Sequence, residues 1–232
     1  MMWAVQFLLI FLSFKNVFAL KKDFCNPTDN ECLTKAVKEH IYQKVMKGLP
    51  GVASSDPLHL DKVVADLPNL QYTLIHPTLL GLKNCDFLKL QLTPESGTVV
   101  YEVWCPRLII KSEYEIKGEI DQVTAEGKDS CEITYENYFI NVTGSYERIT
   151  REDGKLHFHL IDFCLNLDNQ AQATTHFQNL SICGEGDVDQ FSRKLEEKTR
   201  GIVMKTILDR FINNLRDFQR TVPLDQLHFR YV

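Results

Sequence analysis

Four regimes of hydrophobic and polar spacing divide this chain. Residues 3–14 are an almost wholly apolar run, shorter than the 18 or more residues that a spanning helix needs across about 30 Å of hydrocarbon. Residues 28–47 then place Leu33, Ala36, Val37, Ile41, Val45 and Met46 at three- and four-residue intervals, the period of a helix with one buried face. Gly48 and Pro50 end that helix. After the Pro/Gly/Ser-rich connection "GLPGVASSDPLHL", the period becomes that of strands as far as about residue 182.

The clearest strand spans 108–120, where Leu108, Ile110, Tyr114, Ile116 and Ile120 alternate with mostly charged neighbours. Such a strand belongs to an antiparallel sheet with one wet face. Leu88, Leu90 and Leu92 before the turn "TPESGT", with Val99, Tyr101 and Val103 after it, predict a hairpin. "AEGKDS" and "REDGK" are expected to be turns flanking a strand over 131–146, and 156–167 returns after the second. The fourth regime is a proline-free stripe over 187–220, with Val188, Phe191, Leu195, Ile202, Ile207, Phe211, Leu215 and Phe218 on one face. A helix of that length extends about 50 Å and needs a long partner surface, which only the sheet supplies. The fold class is therefore α+β: a long, highly curved antiparallel sheet wrapped around a long C-terminal helix, with a short N-terminal helix.

The leading apolar run reads as a signal peptide, with Val17-Phe18-Ala19 as the cleavage region and 1–19 removed. The remainder, 20–232, is then one secreted domain. Its loss of Lys15 takes the formal net charge from −5 to −6, with basic side chains scattered singly. That excludes nucleic acid and stable membrane insertion as expected modes of action. Two sequons, Asn141-Val-Thr143 and Asn179-Leu-Ser181, are candidate glycosylation sites, whereas Asn26-Pro-Thr28 is blocked by its proline. A glycan on Asn141 would turn Tyr138, Ile140, Val142 and Tyr146 inward.

All seven cysteines lie beyond the cleavage region, so an oxidising compartment would pair most of them and leave at least one over. Cys25 and Cys32, in "CNPTDNEC", lack C-x-x-C spacing and predict a structural staple at the head of the first helix. Cys85 and Cys105 flank the "TPESGT" turn at nearly equal distances, which fits a cross-strand bridge or two buried thiols.

Catalytic chemistry is not expected: the chain has no G-x-S-x-G elbow and no H-E-x-x-H, and no cofactor is implied. His157, His159 and Asp162 could crowd one strand face as metal ligands. Leu156, Phe158 and Leu160 claim the inward side, however, so the histidines are expected at the surface and no metal site is assigned.

The order of "CNPTDNECL", "KGLPGVASSDPLHLDKV", "LLGLKNCDFLKLQL", "PRLIIKSEYEIKGEI" and "FQNL" before the last helix resembles the insect haemolymph juvenile hormone binding and takeout proteins, within the tubular lipid-binding superfamily. That resemblance implies an elongated apolar tunnel holding one lipid-like ligand, such as a juvenile-hormone-like terpenoid or a fatty acid. In the hormone carriers a cysteine matching Cys164 pairs with one in the C-terminal helix. Here 187–220 contains no cysteine, which leaves Cys164 to pair elsewhere, with Cys183 as partner, or to stay reduced.

The inward faces nominate a tunnel lining of Leu90, Tyr101, Val103, Trp104, Ile110, Tyr114, Ile116, Tyr138, Ile140, Val142, Tyr146 and Phe158 from strands, and Leu195, Ile202, Phe211 and Leu215 from the helix. Tyr138, Tyr146, Tyr114 and Ser112 are its polar candidates. The expected function is that of a secreted, monomeric carrier in haemolymph or another extracellular fluid, with one hydrophobic ligand per chain. The competing expectation is an extracellular signalling or interaction protein whose tunnel is filled by its own side chains.

Overall fold

The computed structural model describes residues 25–168 and 170–227. The leading apolar run, its cleavage region and Trp3 lie outside the described residues. Helix α1 (Asn30–Ala36) passes through a π-helical turn (Val37–Ile41) into α2 (Tyr42–Lys47). Asp29 caps α1 by accepting from the Cys32 N–H at 3.0 Å, and the Cys25–Cys32 disulfide ties the incoming chain to the same turn. Gly48 stops α2 at φ 75°, where a Cβ would lie 2.7 Å from the Val52 carbonyl oxygen, so glycine alone fits.

The strands described are β1 (Leu58–His59), β2 (Lys62–Val64), β3 (Leu70–Leu80), β4 (Asp86–Thr93), β5 (Thr98–Ile120), β6 (Val123–Thr150), β7 (Leu156–Leu167), β8 (Gln172–Phe177) and β9 (Ser181–Cys183). All pair antiparallel in one sheet. The spine is the β5–β6 hairpin, of 23 and 28 residues. At one end of it, β4 pairs with 98–104 of β5 and β7 with 140–150 of β6. At the other, β3 pairs with 109–118 of β5, while β8 and β9 pair with 124–136 of β6.

Between these ends both spine strands change phase. In β5 the odd positions Val99 to Cys105 are buried, and after Pro106 the even positions Leu108 to Ile116 are. In β6 the buried positions change from odd to even around Asn137, which adopts φ 55°. Proline lacks the ladder N–H, and a left-handed residue opposite it absorbs the bend. The sheet kinks there, and both strands keep their apolar sides on the inside of the curve.

Several expectations change on this frame. "AEGKDS" is strand, not turn: β5 and β6 are joined at Asp121 and Gln122, whose φ values of 50° and 68° make the two-residue hairpin turn. Gly127 within that segment serves a close approach instead, because a Cβ there would meet the Tyr114 hydroxyl at 2.7 Å. Leu88 is 46% exposed, since a register shift between Phe87 and Lys89 turns it outward and buries Phe87 in its place.

The chain ends in α3 (Val188–Thr221), 34 residues capped by Asp187, whose side chain accepts from the Gln190 N–H at 2.7 Å. Its buried face joins the sheet and the α1–α2 segment in one core. Ile202 departs from the predicted stripe and is 41% exposed. The neighbouring Val203 and Met204 occupy the core side of that turn, as a period of 3.6 requires over so long a helix. Asn214 anchors α3 to the connection after α2, donating to the Ser54 carbonyl at 3.1 Å. Among the described residues no helix is long and apolar enough to cross a membrane.

The Cys85–Cys105 bridge forms where β4 enters the sheet. The suggested Cys164–Cys183 pair does not exist: both are exposed free thiols. Cys164 stands opposite Thr143 and Cys183 opposite Thr124 on β6, nineteen residues and roughly 60 Å of strand apart. His157 is also corrected. It is buried, not at the surface, because Pro223 bridges to it after α3, and its Nε2 lies 3.2 Å from Asp153 Oδ2. No group of three metal-ligating side chains occurs among the described residues.

Candidate ligand cavity

The cavity lies at the end of the spine that carries β4 and β7. Its walls come from every layer: Val37, Ile41, Tyr42 and Val45 from α1–α2; Phe87, Leu90 and Leu92 from β4; Tyr101 and Val103 from β5; Ile140 and Val142 from β6; Phe158 from β7; Phe211, Ile212, Leu215, Phe218 and Gln219 from α3; and Leu227 beyond it. The space open to the centre of a water molecule is about 50 Å³. One water needs about 10–15 Å³ on that measure, so this is a narrow apolar slot with its side chains close together.

Eight of the residues nominated from the sequence border this slot: Leu90, Tyr101, Val103, Ile140, Val142, Phe158, Phe211 and Leu215. The other eight nominees lie elsewhere. Trp104 is on the outer face, opposite Asp86 and Phe139, because the odd phase of β5 holds until Cys105. Tyr146 stacks behind Phe158 at 4.5 Å without lining the slot. Tyr138 is fully buried against Tyr135 at the kink. Ile110, Tyr114, Ile116 and Leu195 are buried outside the slot, the three strand residues in the half of the spine held by β3. Ile202 faces outward.

Among the described residues, side chains in that far half pack on one another. Tyr114 meets Phe177 at 4.7 Å and donates its hydroxyl to the Gln178 carbonyl. Ser112 donates to the Ile75 carbonyl at 2.8 Å, so neither of these nominated polar groups is open to a ligand. Glu196 accepts from Arg200 through both oxygens, at 2.6 and 2.7 Å, and the guanidinium lies 5.9 Å from the Tyr135 ring centre. A buried charge pair needs this kind of bidentate satisfaction to be tolerated. Burial, with Glu196 beside it, pushes the Tyr135 hydroxyl well above its ordinary range.

Sequence reasoning missed the slot's polar corner. Gln219 donates from Nε2 to the Tyr101 hydroxyl at 2.9 Å. Tyr42, by contrast, is satisfied by the Leu82 carbonyl at 2.8 Å. Among the described residues, no Lys, Arg or His lines the slot. The wall from α1–α2 was legible as a helical stripe, but nothing in its period says what it packs against. Gln219 carried no mark to separate it from the helix's other buried polar residues, Ser192, Glu196, Thr199 and Asn214.

The fold agrees with a crystal structure of Takeout 1 from Epiphyas postvittana, which is 23% identical, with a TM-score of 0.77 over 88% of this chain and 98% of that one. A crystal structure of lipopolysaccharide binding protein overlaps at a TM-score of 0.34 and 11% identity, over 84% of this chain and 36% of that one; so slight an overlap carries no argument. No curated protein sequence matches. The description of the haemolymph juvenile hormone binding proteins, a family of binding proteins and not of enzymes, matches residues 7–227, and the chain belongs to that family.

Proposed function

We propose that this protein is a secreted carrier, residues 20–232 forming one domain after removal of 1–19, that encloses one small hydrophobic ligand per chain as a monomer. The observation that carries this is the slot: apolar side chains from the sheet, the α1–α2 segment and α3 converge on a space they do not fill. Family membership supports a hydrophobic ligand, with a terpenoid skeleton as the first to test. The two disulfides fit an oxidising compartment.

Burial supplies the affinity, at roughly 0.8 kcal/mol per methylene before ordering costs. A fifteen-carbon ligand gains enough for micromolar binding but exceeds the slot at rest, so entry requires the lining to spread. Asn141, on the outer strand face opposite Glu102 and Asn166, and the exposed Asn179 are proposed glycan sites pointing away from the slot.

Native mass spectrometry of protein from a secreting host tests this. One apolar ligand per chain, co-purified or accepted on addition, is expected. A chain that refuses hydrocarbons, terpenoids and fatty acids alike would favour the interaction protein with a side-chain-filled interior.

A further inference from the structure

Gln219 is only 7% exposed, lines the slot, and has an Oε1 buried without a hydrogen-bond partner. Its Nε2 is committed to the Tyr101 hydroxyl, which accepts that bond and keeps its own proton free to donate. The two side chains therefore offer one unused acceptor and one unused donor, side by side, in an otherwise apolar chamber. Turning the amide over changes nothing essential: Tyr101 would then donate to Oε1, leaving an amide N–H and the phenol lone pairs. In either arrangement one donor and one acceptor remain.

Resting on the carrier reading, the geometry points to a ligand with a neutral polar terminus that both donates and accepts at Gln219 and Tyr101: a long-chain or terpenoid alcohol, not an ester, an epoxide or a carboxylate anion. An ester or epoxide can only accept, and would leave the acceptor of the pair desolvated and unmatched. A carboxylate would enter a chamber whose described lining residues include no cationic side chain, which desolvation penalises heavily. Burial raises the Tyr101 hydroxyl above its ordinary range, so it remains a neutral donor across physiological pH.

Delipidated full-length mature protein would be titrated with 1-pentadecanol, its methyl ether and pentadecane, each competing against one fluorescent lipid. The ether keeps the acceptor oxygen and removes only the donor. The alcohol is expected to bind about tenfold tighter than the ether. Gln219→Met, close in shape, should lower the alcohol to the ether's level, and Tyr101→Phe, which deletes the other partner, provides a second variant. Equal binding of alcohol and ether by the unaltered protein, or a preference surviving in both variants, overturns this assignment and leaves the carrier intact. Failure of all three ligands to bind overturns the carrier itself, and the assignment with it.

Discussion

The two ends of the β5–β6 spine are made from the same pair of strands and the same helix, yet one closes on itself and the other does not. In the end bounded by β3, β8 and β9, aromatic rings and a buried ion pair fill the interior: Tyr114 on Phe177, Tyr135 beside Arg200, Arg200 on Glu196. In the end bounded by β4 and β7, the α1–α2 segment supplies the opposite wall, and aliphatic and aromatic side chains leave a slot between them. In the filled end Tyr114, Ser112 and Glu196 are matched by fixed partners. In the slotted end the Gln219 oxygen is not. The contrast teaches that a shared scaffold can hold a rigid half and a receptive half, divided at the Pro106–Asn137 kink.

The largest expected effect breaks the filled half. Arg200→Leu strands Glu196 without its bidentate partner and should cost about 3–5 kcal/mol in urea unfolding, with ligand stoichiometry unchanged in the folded fraction. Next, Cys25→Ser with Cys32→Ser opens a short loop worth about 2.5 kcal/mol in the chain-entropy treatment. Because Val37 and Ile41 belong to the segment it holds, ligand should also dissociate faster in stopped-flow dilution. Unchanged release would show that α1 does not govern the slot.

Filling the slot is the smaller structural perturbation with the sharper functional result. Val142→Phe should lower ligand affinity at least tenfold, about 1.4 kcal/mol, while Tm moves only a few degrees. An equal loss of stability would mean that the slot is tightly packed core after all.

The smallest effect is alkaline. Burial raises the Cys131 thiol from 9.0 to about 12 and the Tyr114 hydroxyl from 10.0 to about 12. Groups whose folded values are raised contribute stability below their unfolded values and lose it as pH climbs toward the folded ones. Tm should therefore decline from about pH 9 upward, and Cys131→Ala should remove the earliest part of that decline.

Much of this architecture could be read from local periodicity. The extents of α3 and β7, the β4–β5 hairpin and the inward face of Tyr138, Ile140 and Val142 follow from repeats of 3.6 and 2 that persist over many residues. What failed were places where a period is broken by one residue. Trp104 was nominated beside Tyr101 and Val103 although a strand period of two puts 103 and 104 on opposite faces, and Leu88 was set inward because the shift beside Phe87 has no sequence mark. Ile202 shows the same error on a helix, where a neighbour one position away takes the core side. The Cys164–Cys183 suggestion failed for another reason, since strand order, which no local pattern encodes, separates them along β6. Ile110, Tyr114 and Ile116 fell in the filled half because inward-facing residues look alike whether they meet a ligand or each other.

The division between the halves is tested most directly by photo-crosslinking a fifteen-carbon alcohol that carries a diazirine, followed by peptide mapping. Labels are predicted on peptides containing Val142, Phe158 and Phe211 to Gln219, and none on those containing Tyr114, Tyr135 or Glu196. Labels concentrated on the latter set would contradict the account.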